Sequence, residues 1–378
     1  MPWKEVSIMS QRKEFVMLAM KEGSNIRGLC RRYGISSRTG YKWIGRYREQ
    51  GETGLENQSR RPLHSPRQSS GEVEVAVLEV RQENPRWGGR KIARVLKDQG
   101  KKQVPHPNTV TDILRRNGKI EADEAQKHEA WHRFEKSSSN ELWQMDFKGY
   151  FDTGSGRCYP FTVLDDHSRF VLGLKACGNE TKQTVQSHLT SIFRQYGLPV
   201  AILADNGNPW KGKRPQMEYS ELAIWLIRLG VKVYHGRPAH PQTQGKDERF
   251  HRTLKAELLS GRSFLNLDDC QYHFDWWRDR YNLERPHEAL NLDTPIQHYQ
   301  PSCRPFPEIL PVIEYDASEV VRKVQAGGII FYMGKEYRSA KSLRGQLVAL
   351  RPTQEDGCVQ VIFCNHIIDT IYLNHPIS

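Results

Sequence analysis

The sequence predicts three structural classes in succession: an all-helical front, a central α/β body and a β-rich tail. Apolar residues recur at helical spacing up to about residue 120, strands and helices follow one another between 141 and 295, and a period of two governs 311–378. A length of 378 residues fits two to four folding units. Hydrophobic residues make up 37% and charged residues 26%, a globular balance. No run of about eighteen apolar residues occurs, so no membrane partner or span is expected. The start, Met1 to Glu5, lacks the pattern of a secretory signal, and a cytoplasmic, nucleoid-associated location is expected. The seven cysteines are scattered and form no C-x-x-C pair, so neither a disulfide framework nor a zinc site is expected.

Charge is distributed unevenly. Residues 1–140 carry 28 basic and 17 acidic side chains, whereas residues 141–378 carry 28 and 27. A basic front attracts a polyanion by counterion release; a balanced body must obtain affinity from particular groups.

The front reads as two helical units. In residues 1–55, Phe15, Val16, Leu18 and Ala19 lie at helical spacing and Gly23-Ser24 ends the run. Ile26–Tyr33 is a short amphipathic segment, Gly34 supplies a turn, and Ser36 or Ser37 caps a helix reaching Gln50. This helix–turn–helix order directs Ser37, Arg38, Tyr41, Lys42 and Arg46 toward the major groove of double-stranded DNA. Residues 56–71 form a basic linker whose Arg60, Arg61 and Arg67 suit the backbone or minor groove. A second unit, 72–120, repeats the pattern: an apolar helix ending before Pro85, a helix after Gly88-Gly89, and a third from Pro107 to Asn117. Its third helix offers Asn108, Thr109, Thr111 and Arg115 to DNA. Residues 121–140 are a polar connector.

In the body, Leu142–Phe151, Tyr159–Leu164 and Phe170–Lys175 read as successive strands, followed by a helix over 181–196 and a buried strand, Val200–Ala204. Glu221–Leu229 reads as a helix, Val231–Tyr234 as a strand and Gly245–Ser260 as a long helix. Asp146 lies within the first strand between Met145 and Phe147, where a charge needs a partner or a metal. Asp205 follows the fourth strand, at the end where α/β sheets place functional groups. Phe250, Leu254 and Leu258 form the apolar stripe of the last helix, and Glu248 points away from it; Asp247 lies about a quarter turn aside, which favours Glu248. Three converging carboxylates repel one another unless a hard divalent cation compensates, and Mg²⁺ or Mn²⁺ suits a site that keeps positions open for water and phosphate. Two such ions can activate the attacking oxygen and stabilise the leaving one in a phosphodiester displacement.

Trp143–Asp146, Leu164-Asp-Asp-His-Ser-Arg169, Asp205-Asn-Gly207 and above all Ala239-His-Pro-Gln-Thr-Gln-Gly-Lys-Asp-Glu-Arg-Phe-His-Arg-Thr-Leu-Lys255 resemble bacterial insertion-sequence transposases with a retroviral-integrase-like catalytic core. Tyr281–His287 and Thr294-Pro295 look like the end of that core. The resemblance implies an RNase H-like fold over 141–295, with Asp146, Asp205 and Glu248 as catalytic acids holding two Mg²⁺, Mn²⁺ serving as substitute. It implies Mg-dependent cleavage at the element's 3′ ends and joining of the freed 3′-hydroxyl to target DNA. The partners are then terminal repeats and target DNA, and synapsis calls for a homo-oligomer. Lys246, Arg249, Arg252 and Lys255 would contact the DNA ends, and Asp165, Asp166 and His167 are assigned to turn structure.

Two departures stand out. The 42 residues between Asp205 and Glu248 exceed the family's usual interval, with Asn208–Tyr219 as the insert. The amino-terminal zinc site of retroviral integrases has no counterpart, since Cys30 is the one cysteine in residues 1–140. In the tail, residues 311–378 hold five short strands spaced as in a small β-barrel. A DNA-binding repressor with an inactive core and an RNase H-like nuclease without strand transfer are the competing readings. The intact acids weigh against the first, and the paired helix–turn–helix units against the second.

Overall fold

A computed structural model describes residues 8–57, 69–120, 135–205, 207, 210, 219–235 and 245–375. The chain forms two compact units, Met1–Gln68 and Ser69–Ser378.

The first unit holds α1 (Ile8–Ala19), α2 (Ile26–Arg32) and α3 (Ser37–Gln50). Asn25 and Ser36 cap α2 and α3 by accepting from Gly28 N and Thr39 N, which satisfies backbone donors a helix start would otherwise leave unpaired. Gly34, at φ +64°, makes the turn. Phe15, Val16, Cys30, Ile44 and Leu55 close a small core. Gly40 is required there, because a β-carbon would stand 2.5 Å from Cys30 Sγ and 3.0 Å from the Phe15 ring.

The second unit opens with α4 (Gly71–Glu83), α5 (Gly89–Asp98) and α6 (Pro107–Arg116), packed around Val77, Ile92, Leu96, Val110 and Ile113. These helices are seated on the body that follows. Arg94 pairs with Asp293 at 3.0 Å, Arg280 donates to Asn84 Oδ1 at 2.8 Å, and burial beside Arg285 pushes the Lys91 ammonium down to about 8.

The body is a five-strand sheet with a hairpin extension: β1 (Trp143–Phe147), β2 (Phe151–Thr153), β3 (Gly156–Asp165), β4 (Val171–Cys177), β5 (Ala201–Ala204) and β6 (Lys232–His235). The spatial order is β4-β3-β1-β5-β6, with β2 pairing the start of β3. β1, β3 and β4 are antiparallel; β1, β5 and β6 are parallel. The first expected strand is thus divided between Phe147 and Phe151, where Gly149 adopts φ +87°. Strand alternation separates two faces. Met145, Phe161, Val163 and Leu172 pack against α7 (Lys182–Tyr196) and α8 (Glu221–Arg228). Cys158, Leu164, Val171 and Leu174 pack against α9 (Gly245–Leu254) and α10 (Leu267–Leu283). Lys255–Leu259 continues α9 as a π-turn.

Residues 298–304 stitch the body together. Asn140 donates to Gln300 O, Leu198 N donates to Arg304 O, and the Arg304 guanidinium donates to the carbonyls of Pro199, Leu229 and Gly230.

The tail, where a small barrel is expected, holds two sheets. β7 (Val320–Lys323), β10 (Leu347–Pro352), β11 (Cys358–Phe363) and β12 (His366–Tyr372) form a four-strand antiparallel sheet, while β8 (Ile329–Tyr332) and β9 (Lys335–Arg338) pair with each other. Among the described residues this is not a closed barrel. An open sheet needs a cover, and Ile224 and Ile227 of α8 share its core. No helix among the described residues is long and apolar enough to cross a membrane.

Candidate active site

β1 and β5 run in parallel with Gln144 opposite Leu203. Two residues further along that register, Asp146 and Asp205 stand side by side at the carboxyl ends of adjacent strands. Because Met145 faces α7 and α8, alternation turns Asp146 toward α9. Its side chain is 26% exposed and its Oδ1 accepts from Phe147 N at 2.8 Å. Burial raises its pKa to about 7, with Asp205 and Glu180 adding repulsion against the one hydrogen bond that favours the anion. Asp205 Oδ1 accepts from Gly207 N at 2.9 Å, and its carbonyl is 3.1 Å from His235 Nδ1.

Sequence reasoning passed over Glu180. It precedes Thr181, the residue capping α7, and its pKa is raised by burial and by Asp205. An acid next to a helix cap is too common to single out.

The third expected acid is not brought to the other two. Glu248 is 69% exposed and lies 3.7 Å from Arg252, whereas Asp247 is 2% exposed. The reason is helical phase: Asp247 precedes Phe250 and Leu254 by three and seven residues, so it enters the sheet-facing stripe. Burial, then Asp146 and Asp166, raises the Asp247 pKa well above the ordinary carboxylate value. Glu248 shares its face with His251, three residues on, whose Nδ1 is 3.9 Å from Asp146 Oδ2.

The turn between β3 and β4 is structural. Asp165 accepts from Asn140 N, Ser168 N and Ser168 Oγ; Asp166 accepts from Lys136 N and Gln144 Nε2; His167 Nδ1 is 2.9 Å from Lys136 O. Lys246 belongs to this network and not to an exposed DNA-binding face: its Nζ is 2.6 Å from Asp166 Oδ2 and 3.1 Å from Asp166 O. Arg249, Arg252 and Lys255 are exposed. Lys255 and Lys148 line a groove of about 240 Å³ with Tyr150, Phe151 and Leu259, and burial beside Lys255 lowers the Lys148 pKa.

Among the expected groove-reading residues, Ser37, Arg38, Tyr41 and Lys42 are exposed on α3. Arg46 is half-buried with its guanidinium 5.3 Å from the Trp43 ring, which also receives Lys42 and Arg12. On α6, Asn108 and Arg115 are exposed, with Arg115 2.7 Å from Asp112, and Thr109 is half-buried. Thr111 turns inward: its hydroxyl donates to Pro107 O at 2.9 Å, and its Oγ1 stands where Gly89 would carry a β-carbon. Arg60, Arg61 and Arg67 lie outside the described residues.

Among the described residues, no three His, Cys, Asp or Glu side chains converge closely enough to share one ion. The donor chemistry nonetheless suits a hard cation. Asp146, Asp205 and Glu180 mutually repel, and Asp247 Oδ1 is buried without a hydrogen-bond partner. That excess of acceptors fits a divalent metal.

Comparison with known proteins agrees with this architecture. Residues 136–241 and 229–295 match Integrase core domain families. Residues 11–62 match a Helix-turn-helix domain, 39–114 a Homeodomain-like domain, and 319–375 the IS481 family transposase, C-terminal domain. The Gag-Pro-Pol polyprotein of Simian retrovirus SRV-2 is 34% identical over 119 residues, 32% of this chain, which spans 6% of that polyprotein. An insertion element IS407 protein of Burkholderia multivorans is 24% identical over 63% of this chain and 86% of its own length. A simian T-cell lymphotropic virus intasome, solved in complex with PP2A regulatory subunit B56 gamma, aligns with a TM-score of 0.38 at 17% identity, covering 78% of this chain and 98% of the other. Helix-turn-helix families at the front, the integrase core across the body and a transposase C-terminal family at the tail follow one another along a single chain, and together they support an insertion-sequence transposase with an integrase-like core.

Proposed function

We propose that this protein binds the terminal repeats of its element, cleaves their 3′ ends and joins them to target DNA, acting as a homo-oligomer that holds two ends together. The observation that supports this most directly is the pair Asp146 and Asp205 at neighbouring strand ends, with His251 of α9 3.9 Å from Asp146. Asp146, Asp205 and Glu248 would hold up to two Mg²⁺, with Mn²⁺ as substitute. Bound there, the ions supply charge neutralisation at the reacting phosphate and ease deprotonation of the attacking oxygen.

Glu248 has to turn from Arg252 to join the aspartates. Its exposed ion pair is worth at most about 1 kcal/mol, so the arrival of a DNA phosphate at Arg252 is enough to release it. In cleavage, a water oxygen bonds to phosphorus while the bond to the 3′ oxygen breaks, leaving a free 3′-hydroxyl. In joining, that hydroxyl attacks a target phosphodiester and one target P–O bond breaks as one forms. Bond count is conserved in joining, so no nucleotide energy source is needed. Arg249, Arg252 and Lys255 position the ends through phosphate contacts, and Arg38 and Lys42 bind the repeats.

The test uses labelled DNA carrying the element's ends, with Mg²⁺, comparing wild type and Glu248→Gln. Joined products from wild type alone support strand transfer and the third acid together. Binding without cutting by either protein supports a repressor with an inactive core, and cutting without joining supports a nuclease.

A further inference from the structure

The tail carries its positive charge on one side. Between residues 320 and 347 stand six basic side chains and a single acid, Glu336, whereas residues 352–378 hold three acids and neither Lys nor Arg. All six cations, on β7, on β9 and in the turn after β9, are exposed. The tail's ion pair among the described residues joins Arg351 to Glu319, outside this stretch, and none of the six has a carboxylate within ion-pair distance there. A cluster of cations left without carboxylates is complementary to a polyanion, which it binds with release of counterions.

Within this stretch β8 and β9 form a two-stranded ribbon, with Tyr332 paired to Lys335 across the turn Met333-Gly334. Its two faces differ. Ile330 and Tyr337, opposite each other, are buried in the core of the tail. Alternation turns Phe331 the other way, and it is 49% exposed. Met333, at the tip, is 73% exposed and adopts φ +48°, followed by Gly334 at φ +74°. Positive φ at both central residues is the turn that Asn-Gly or Asp-Gly ordinarily makes, so a methionine there costs strain. Neither Met333 nor Phe331 belongs to a hydrophobic cluster that would offset the strain or the exposure. Arg322 Nε donates to Phe331 O at 3.2 Å, which ties the ribbon to β7 and keeps the aromatic ring beside the cations. Two apolar side chains held outward at a strained tip, among unpaired cations, mark a contact surface.

We propose that the β8–β9 ribbon bends DNA: it enters the minor groove of a duplex, Phe331 and Met333 wedge into a base step, and Lys335 and Arg338 hold the flanking phosphates. The charge selects the phosphate backbone, and a two-stranded ribbon is an element that DNA grooves accept. The tip selects the minor groove. Phe331, Met333 and Gly334 offer no side-chain donor or acceptor to read the major-groove pattern, whereas apolar wedges that unstack a step and kink the duplex act from the minor groove. Such a contact reads deformability in place of base identity, so the ligand is duplex DNA in general, with easily unstacked TA steps preferred over stiff A-tracts. The inference does not depend on the carboxylate site.

The experiment uses the full chain in EDTA with a duplex of about thirty base pairs that lacks the element's ends, carries one central TA step and bears a fluorescent donor and acceptor at its two ends. Wild type should raise energy transfer between the ends, as a bend of about 20–90° requires. Phe331→Thr with Met333→Asn should lose at least about half of that rise while binding within about threefold of wild type, because phosphate contacts supply most of the affinity. Both replacements suit the backbone they enter, a strand and a turn of positive φ, so urea denaturation should show the fold intact. Replacing the TA step by an A-tract should weaken wild type several-fold and leave the tip variant unchanged. Lys335→Gln with Arg338→Gln should reduce the salt slope of binding by about 2. A rise in energy transfer that the tip variant keeps overturns the proposal, as does a salt slope that the charge variant leaves alone. A tip variant that lowers the oligomeric state in sedimentation and bends DNA like wild type places Phe331 and Met333 between copies of the chain, and overturns it too.

Discussion

Lys246 Nζ stands 2.6 Å from Asp166 Oδ2 and so fastens the first turn of α9 to the turn between β3 and β4. Asp166 is fully buried, and the pair fixes the helix that carries Asp247, Glu248 and His251.

Removing one partner strands the other. Lys246→Met should destabilise the second unit by about 3–5 kcal/mol, because the Asp166 carboxylate remains in the interior without its cation. The double replacement Lys246→Met with Asp166→Leu should cost less than the single one. Urea denaturation followed by tryptophan fluorescence measures both, and equal losses would contradict the pairing.

Stability of the metal-free protein should depend on pH through Asp146. Its carboxyl, raised by burial and by Asp205 from 3.8 to about 7, is favoured by the fold in its protonated form. That contribution is fully present below pH 3.8 and is lost as pH rises through about 7. In EDTA, Asp146→Asn should therefore exceed wild type at pH 8 by on the order of a few kcal/mol and match it near pH 4. Mg²⁺ should stabilise wild type at pH 8 and leave the variant unchanged. Thermal melts at pH 4, 6 and 8 decide; a wild-type melting temperature that is flat in EDTA would sink the account.

The two helical units should respond differently to substitution. Arg38→Ala and Lys42→Ala, on the exposed face of α3, should each weaken binding to the element's ends and reduce the salt slope by about 1. Thr111→Ala should leave the salt slope alone, since its hydroxyl is spent on Pro107 O. Fluorescence anisotropy across a salt series separates these outcomes, and an altered slope in Thr111→Ala would return that residue to the DNA-facing surface.

Much of the body was legible because its signals are local. Met145, Asp146 and Phe147 alternate as a strand must, and Phe250, Leu254 and Leu258 mark the buried stripe of α9. The exchange between Asp247 and Glu248 was not legible. Phase alone puts Asp247 on the edge of the apolar stripe, and only the packed sheet shows that the edge is interior. His251 was hidden because its partners Thr162 and Asp146 belong to two distant strands. The arrangement of the tail was not legible for a related reason: period-two strands are the same in a barrel and in an open sheet, and the cover supplied by Ile224 and Ile227 lies about a hundred residues upstream. Lys246 and Thr111 look like solvent-facing polar residues in sequence; Asp166 and Pro107 claim them in three dimensions.

The stitch made by residues 298–304 sets an order on the protein's birth. The carbonyls of Pro199, Leu229 and Gly230 obtain their Arg304 donor only after that residue leaves the ribosome. From Asp205 to Arg304 the ribosome adds roughly a hundred residues, which takes about 5–20 s at ordinary speeds. Throughout that interval the nascent chain holds its first two acids on an unfinished sheet. Closure of the sheet therefore waits for translation to pass Arg304, and a message truncated before that residue yields a product that carries the helical units on a body without its closing strap.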